Sequence, residues 1–320
     1  MKKILLTLLT GILGFISYSQ SVESIIGEDL AQGEKLIEAY FTPMAESFGA
    51  GLNNGWYNTA KPHSLGGFDL TFTLNTVIIP NSAETFKIGN KFGGVFTSTS
   101  TKDKASTIFG SGDETNMMYN FSKNGIDTSL AFKMPGGFKT PAMPLPMIQA
   151  GIGLIKNTAV DIRYMPFLNI GDAGKLNLFG IGIKHDLLQW IPVIGDAIPM
   201  SLSLQGGYTS LNTELEISEQ KVSLNTTATT INLVASRKLL MLTGYAGIGY
   251  NSATTTLTAD ANFDLSGVKF DEKIEVAFES NKNIRANIGL RLNITLVTIQ
   301  ADYTFAKYPT ATLGLGVSLR

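Results

Sequence analysis

The 320-residue sequence contains no cysteine and few charged residues. The absence of cysteine excludes disulfides, thiolate nucleophiles, cysteine-based metal sites and a lipid anchor on an N-terminal cysteine. Charged residues make up 16% of the chain, against roughly 25% in soluble proteins. The net charge of -1 provides no electrostatic field for nucleic acid, which is therefore not an expected partner. So little charge is typical of a protein whose outer surface faces lipid.

Long apolar runs are also lacking, except near the N-terminus. Lys2 and Lys3 precede the apolar segment Ile4–Ile16, and residues 17–19 supply a cleavage site. This run is shorter than the roughly 20 residues of a spanning helix, and its layout is that of a secretory signal peptide. We predict a signal peptide over residues 1–19 of a Gram-negative envelope protein. A mature protein that stays in the membrane must then do so as a β-barrel.

From residue 66 to the C-terminus, apolar and polar residues alternate with a period of two. In Thr310–Leu319, for example, alanine, leucine and valine occupy one face, and threonine, glycine and serine the other. Such segments form strands with one apolar and one polar face. They run for about ten residues, as tilted membrane-spanning strands do. Their polar faces contain little of the lysine and glutamate of a solvated sheet, which favours a barrel surrounded by lipid over a soluble sandwich.

We therefore predict an all-β fold, a transmembrane antiparallel β-barrel of about 10–14 strands over residues 66–320. Ten strands are assigned: Gly67–Ile79, Met147–Leu154, Thr158–Tyr164, Lys175–Lys184, Met200–Thr209, Thr229–Ala235, Leu239–Tyr250, Ile284–Asn293, Leu296–Phe305 and Thr310–Leu319. The stretch Asn81–Pro144 is too long for a plain loop. An additional hairpin is expected there, around Phe86–Phe96 and Thr128–Met134.

Turn lengths predict the orientation of the barrel, because outer-membrane barrels have short periplasmic turns and long external loops. The expected periplasmic turns are Lys156-Asn157, Ser236–Lys238 and the bend at Asn293. The polar stretches Asn81–Pro144, Ser210–Ala228 and Asn251–Asn283 are expected to be external loops.

Residues 20–65 break the barrel pattern and are predicted to form an N-terminal helix and plug segment. Apolar residues recur there at helical spacing, which indicates an amphipathic helix. The plug candidates are Ile26, Leu30, Ile37, Phe41, Met44 and Phe48. A stretch rich in glycine and asparagine follows and leads to the first strand.

The polar strand faces carry seven charged residues that are expected to line the lumen: Asp69, Asp161, Arg163, Lys184, Arg285, Arg291 and Asp302. They would form either a selectivity lining or the salt-bridged interior of a filled barrel. Aromatic residues are expected in the interfacial girdles of the membrane: Trp56, Trp190, Tyr164, Tyr208, Tyr250 and Tyr303.

Two segments carry a resemblance to a known family. NNGWYNTAKPHSLGGFDLTF (Asn53–Phe72) and GIGIKHDLLQWIPVIGDAIP (Gly180–Pro199) resemble an uncharacterised family of Gram-negative outer-membrane proteins. That family is itself loosely similar to the long-chain fatty-acid transporter type of barrel. The resemblance implies fourteen strands, a lumen plugged by Val22–Leu65, and hydrophobic solutes that leave sideways through a gap in the wall. It assigns no individual ligand-binding residue.

Motifs for catalysis or metal binding are weak. The two histidines, His63 and His185, are not at metal-ligand spacing. Neither a metal site nor a cofactor is expected. The pair His63-Ser64 is the one candidate for a hydrolase, but neighbours on a strand point to opposite faces. The protein is not expected to be an enzyme.

Three functions remain open from the sequence. The first is a porin-like barrel in the cell outer membrane, a plugged transporter or channel for small hydrophobic solutes. The second is a structural or secretion-partner barrel without transport, and the third is an outer-membrane lipid hydrolase. The expected partners are outer-membrane lipid and a small hydrophobic ligand, and the sequence indicates no protein partner.

Overall fold

The computed structural model describes residues 22–99, 103–123, 126–134, 136–169, 174–191, 199–217, 220–265 and 268–319. The predicted signal peptide lies outside these residues, as do the side chains of the plug candidates Ile26 and Leu30. In the described part of the chain, no helix is both long and apolar enough to span a membrane.

The elements in chain order are α1 (Val22–Leu52), β1 (Phe68–Ile78), β2 (Thr85–Lys87), β3 (Phe96–Ser98), β4 (Lys104–Ser106), β5 (Thr115–Lys123), β6 (Ile126–Met134), β7 (Ala142–Leu154), β8 (Thr158–Asn169), β9 (Gly174–Asp186), β10 (Ser201–Ile217), β11 (Gln220–Leu239), β12 (Leu242–Leu265), β13 (Val268–Ile294), β14 (Val297–Phe305) and β15 (Thr310–Leu319). Short 3-10 turns occupy Asn81–Ala83, Gly89–Phe92 and Leu188–Trp190.

Strand β1 and strands β7 to β15 form a closed antiparallel barrel, in which β1 joins β15 on one side and β7 on the other. All ten strands assigned from the sequence belong to it, which confirms the predicted fold class. The barrel has ten strands, not the fourteen of the transporter type.

The barrel wall is apolar outside and polar inside. On β1, Phe72 is 50% exposed, whereas its neighbours Thr71 and Thr73 are 4% and 1% exposed and face the lumen. This orientation is the reverse of a soluble sandwich, which would bury the phenylalanine, and it is the one that a surrounding lipid phase stabilises.

Strands β10 to β13 are longer than predicted. The stretches Ser210–Ala228 and Asn251–Asn283, expected to be loops, are largely paired strand, with Thr213 opposite Leu224 and Asp260 opposite Lys273. Their many threonines favour strand because β-branched side chains suit a pleated surface. Since a membrane span needs only about ten residues, the 27-residue β13 projects far beyond the membrane.

The tight turns that join β7 to β8, β11 to β12 and β13 to β14 lie at one end of the barrel, and the long connection from β1 to β7 lies at the other. The predicted turn Lys156-Asn157 is confirmed, with φ of 55° and 45°. The predicted turn at Ser236–Lys238 is wrong, because these residues are still paired in β11 and the chain reverses at Leu240-Met241. The Asn293 bend falls two residues early, since the reversal is at Thr295 (φ 56°). We call this end the short-turn end and the opposite one the long-loop end.

The connection between β1 and β7 forms small sheets outside the barrel. The predicted hairpin exists only in part: Thr128–Met134 lies in β6, which pairs with β5, whereas Phe86–Phe96 is mainly turns. These sheets and the projecting strands surround the middle of α1, residues 36–45. Its buried residues share one apolar core with them, and burial raises the pKa of Tyr40 to about 12, which keeps its hydroxyl a donor to the Gly136 carbonyl.

Candidate functional site

The candidate site is the lumen and the segment that fills it. Helix α1 enters from the long-loop end, and residues 53–67, here called the plug loop, continue to the short-turn end where β1 begins. Of the predicted plug residues with described side chains, Ile37 and Phe41 are buried and Met44 and Phe48 are half-buried. A salt bridge of 2.7 Å joins Glu46 of α1 to Lys307 at the β14–β15 turn.

Arg163 is the central contact between wall and plug. It is fully buried, and its Nη1 and Nη2 atoms donate to the carbonyls of Leu52 at 2.8 Å and Asn54 at 2.7 Å. Its Nε atom donates to Gln149 at 2.9 Å, and its guanidinium lies 3.6 Å from the centre of a Trp56 ring. The buried cation is therefore hydrogen-bonded on every nitrogen and stacked on an aromatic face, which offsets its desolvation.

Asn75 on β1 provides a second contact with the main chain of the plug. Its amide nitrogen donates to the carbonyls of Gly51 at 2.9 Å and Asn54 at 3.1 Å. Its own carbonyl oxygen accepts a hydrogen bond from Thr312 at 2.9 Å, and Thr304 donates to the Asn54 side chain at 2.7 Å. The carbonyl groups at the end of α1, which have no partner within the helix, thus accept hydrogen bonds from side chains of the barrel wall.

Two neighbours on the lumen face of β13, Arg285 and Asn287, contact two further residues of the plug loop. Arg285 donates to the carbonyl of Asn53 at 2.7 Å. The hydroxyl of Tyr57 donates to Asn287 at 2.7 Å and lies directly over Gly247. A side chain at position 247 would collide with this hydroxyl, which accounts for the glycine.

Trp56 lies in a cradle of glycines on β9 and β10. A Cβ atom added at Gly182 would come within 2.7 Å of its ring, and one at Gly207 within 2.5 Å. Gly180 lies at the edge of the same ring. Gly180 and Gly182 form a Gly-x-Gly pair on β9. Because these three glycines have no side chains, the indole has room inside the barrel.

The cradle yields a test by substitution. Gly207→Ala should push Trp56 off Arg163 and lower the free energy of unfolding by about 1–3 kcal/mol, the usual cost of overpacking. The measurement is Trp56 fluorescence in a Trp190→Phe background, where it is the sole tryptophan, together with the urea midpoint. Gly206→Ala is the matched control, since its added Cβ meets nothing closer than 3.9 Å. Equal spectra for both variants would contradict the packing of the cradle.

The part of the plug loop nearest the short-turn end is held by hydroxyl groups of the wall. The Thr59 and Ser236 hydroxyl oxygens are 3.2 Å apart, and Ser236 also accepts the Ala60 amide at 2.9 Å. Ser203 donates to the Ala60 carbonyl at 2.5 Å. These contacts join the plug loop to β10 and β11 near the short-turn end.

His63 closes the plug loop against the first strand. It is 3% exposed and its Nε2 atom is 2.5 Å from a carboxylate oxygen of Asp69. Ser64, the candidate nucleophile of the sequence, is exposed while His63 is buried, so the two side chains lie on different sides of the chain. The structure thus brings His63 together with Asp69 rather than with Ser64. In the described residues, no group of three potential ligands could hold a metal ion.

The seven charged residues predicted for the lumen lie on the inner face of the wall. Six are buried, and Asp69 is half-buried. Three arginines contact the plug, the third through a 3.0 Å hydrogen bond from Arg291 to Asn58. Asp302 instead accepts the Tyr245 hydroxyl at 2.9 Å, a contact within the wall. The main role of the arginines in this structure is to bind the plug loop.

Toward the long-loop end, a ring of buried apolar residues lies on the inner face between threonines such as Thr226 and Thr255. We call the following wall residues the apolar sleeve: Met147, Leu178, Leu211, Ala228 and Ala253. Leu52 and Phe48 of α1 pack against it. The apolar stripe of the helix is therefore matched by an apolar band in the lumen.

Sequence reasoning misplaced Trp56, which was expected in an interfacial girdle and is instead 1% exposed in the lumen. Its neighbours provided the available signal: it lies within a stretch of asparagine and glycine outside any alternating segment. Trp190, in contrast, is 61% exposed in the 3-10 turn after β9 at the short-turn end, where a girdle residue is expected. The sleeve was also missed, because leucine on an inner face interrupts the alternation by which faces are assigned.

The fold and the filled lumen together define a plugged transmembrane β-barrel. The chain belongs to a family of unknown function (DUF6588), whose model matches residues 1–319. No curated protein matches the sequence.

Several solved outer-membrane structures are distantly similar to the chain. The translocator domain of the autotransporter NalP from Neisseria meningitidis is 10% identical, with 89% of this chain and 97% of that chain covered and a TM-score of 0.31. The outer membrane protease OmpT from Escherichia coli is 10% identical, covering 79% and 97%, with a TM-score of 0.32. The toluene transporter TodX from Pseudomonas putida is 10% identical, covering 79% and 88%, with a TM-score of 0.26. Likeness at this level carries no argument about activity.

Proposed function

We propose that the protein is an outer-membrane channel for small apolar solutes and that its N-terminal segment closes the lumen. The observation that carries this proposal is the apolar sleeve. An aqueous porin has a polar lumen, whereas here leucine and methionine side chains face inward and are covered by Phe48 and Leu52 of the plug. A site lined in this way favours an apolar solute over water once the helix is displaced.

The bonding of the plug also supports a movable closure. The strongest wall contacts, from Arg163, Arg285 and Asn75, go to main-chain carbonyls near the end of α1. Hydrogen bonds contribute a net of about 0.5–1.5 kcal/mol each, or about 1.5–3 kcal/mol where the donor is charged, because water replaces the lost partner when the contact opens. The plug is continuous with the barrel only through residue 67, so it can leave the wall without any barrel strand separating.

A filled structural barrel is the second candidate. The tight fit of Trp56 into its glycine cradle favours it, because packing of this density is typical of a permanent core. In that case the plug would stabilise the barrel and never move. The expectation that the protein is not an enzyme stays a prediction.

A reversible crosslink between plug and wall distinguishes the two candidates. The native chain has no cysteine, and the Thr59 and Ser236 hydroxyl oxygens are 3.2 Å apart. Thr59→Cys combined with Ser236→Cys should therefore form a disulfide after a small adjustment. Cells that express the oxidised double variant should take up the apolar dye N-phenylnaphthylamine no faster than cells without the protein. Dithiothreitol should restore the uptake of the wild type.

The two single-cysteine variants are the matched controls and should not respond to oxidant. Uptake that is unchanged by a verified crosslink would contradict a plug that moves. Dye uptake that does not depend on the protein in any form would favour the filled structural barrel.

A further inference from the structure

The outer wall contains an apolar groove near the short-turn end. It runs across β11 to β15 and has a volume of about 860 Å³, within the range of roughly 300–1,000 Å³ typical of ligand sites. Small residues on the outward face form its floor: Gly244, Ala246, Ala301 and Ala311. Many other outward positions of the wall hold large side chains such as Phe68, Ile152 and Ile183.

Large apolar residues border the small residues of the groove. Leu290 on β13 is paired with both Gly244 and Ala301 and therefore stands between two strips of small residues, and Leu313 on β15 lies on the other side of Ala301. The alternation of large and small side chains on neighbouring strands leaves these strips lower than the surrounding wall, so the surface that lipid meets here is uneven.

A cation lies at one end of the groove. Arg237 lines it at the short-turn end and is paired with Gly244 across the strands. Its side chain is exposed, and Lys238 follows it in the chain. The carboxylate of Asp302, the one acidic residue in the lining, accepts a hydrogen bond from Tyr245. The charge at this end is therefore complementary to an anion.

We propose that the groove binds one phospholipid with an anionic headgroup, its acyl chain on the small residues and its phosphate on Arg237. The short-turn end of an outer-membrane barrel faces the periplasm, so the lipid would belong to the inner leaflet. Arginine binds phosphate through two parallel hydrogen bonds, and an arginine beside a membrane also gains from anionic lipid. The site goes beyond the proposed transport, because the acyl chain and Arg237 lie on the outward face of the wall and not in the lumen.

Native mass spectrometry of the full-length protein with phosphatidylglycerol or phosphatidylethanolamine tests the site. Arg237→Gln should weaken phosphatidylglycerol binding about fivefold, as expected for one basic residue beside an anionic lipid, and should change phosphatidylethanolamine binding less. Ala301→Leu fills the floor and should remove the retained lipid of either kind. Both side chains are outside the lumen, so folding should be preserved. The electrophoretic mobility of unboiled samples checks that the barrel is folded.

Matched controls come from other parts of the wall. Ala150→Leu adds the same bulk to an outward position on β7, and Lys156→Gln removes a cation at another short turn. Both should retain lipid as the wild type does. Equal retention by the Ala301 and Ala150 variants would overturn the proposal, as would equal phosphatidylglycerol affinity with and without Arg237. A dimer mass that Ala301→Leu abolishes would instead assign the groove to a second copy of the chain.

Discussion

Deletion of residues 22–65 is expected to raise the ion conductance of the barrel about tenfold or more, because the lumen of a ten-stranded barrel is narrow and this segment fills it. The barrel does not need the plug to close, since β1 pairs directly with β15 and β7. Without the segment, Arg163, Arg285 and Arg291 lose their plug partners and turn to water. Planar-bilayer recording of both forms measures the change.

The lining also predicts the selectivity of the deletion form. The seven charged residues of the inner face comprise four cations and three carboxylates, so a weak preference for anions is expected. A folded deletion form that stays silent would indicate an interior filled by wall side chains alone. Large steady currents through the full-length protein would indicate an open porin.

A second variant covers the case in which the deletion form does not fold. Gly66 is exposed, and a side chain added there would have open space around it. A protease site inserted after Gly66 allows the plug to be cut from a barrel that has already folded with it. Cleavage followed by urea below the unfolding midpoint of the barrel should release the plug and open the same conductance. Silence after verified release would contradict the plug model.

The barrel could be predicted from the sequence because its determinants are local. Alternation over ten residues fixes which face meets lipid, and all ten barrel strands follow from it. The ends of the strands were harder to predict where the same alternation of apolar and polar residues continues beyond the membrane. A polar threonine-rich segment such as 254–258 is compatible with both a loop and a projecting strand, and its pairing with β11 and β13 shows that it is a strand.

The interior of the lumen depends on contacts between residues distant in sequence. Arg163 is separated from Leu52 by 111 positions, and Trp56 from Gly207 by 151, so no spacing rule connects them. The inward direction of Arg163 could be predicted from strand parity, but its partners could not. The glycines of the cradle had a visible pattern, Gly-x-Gly within strands, whose meaning depends on the tryptophan that it accommodates.

Cysteine labelling should place α1 and the small sheets on the cell exterior. The native chain has no cysteine, and Lys35, Lys133 and Lys156 are exposed. On intact cells, an impermeant maleimide should label Lys35→Cys and Lys133→Cys but not Lys156→Cys, which lies at a short turn. Permeabilising the outer membrane should make position 156 reactive. The surface salt bridge of Lys133 with Glu114 contributes little to stability, so its loss is tolerated.

Labelling at position 35 distinguishes a helix α1 that reaches the exterior from one that lies deeper in the lumen. In the structure, α1 enters the lumen from the long-loop end, and the plug loop then runs to the short-turn end where β1 begins. Labelling at Lys35 would agree with this path, in which the chain crosses the barrel before its first strand. A plug in this position opens by withdrawal toward the exterior, since residue 67 fixes its other end at the short turns. Labelling at Lys133 with protection at Lys35 would mean that the helix lies deeper in the lumen. Labelling at Lys156 alone would mean that the whole barrel is inverted.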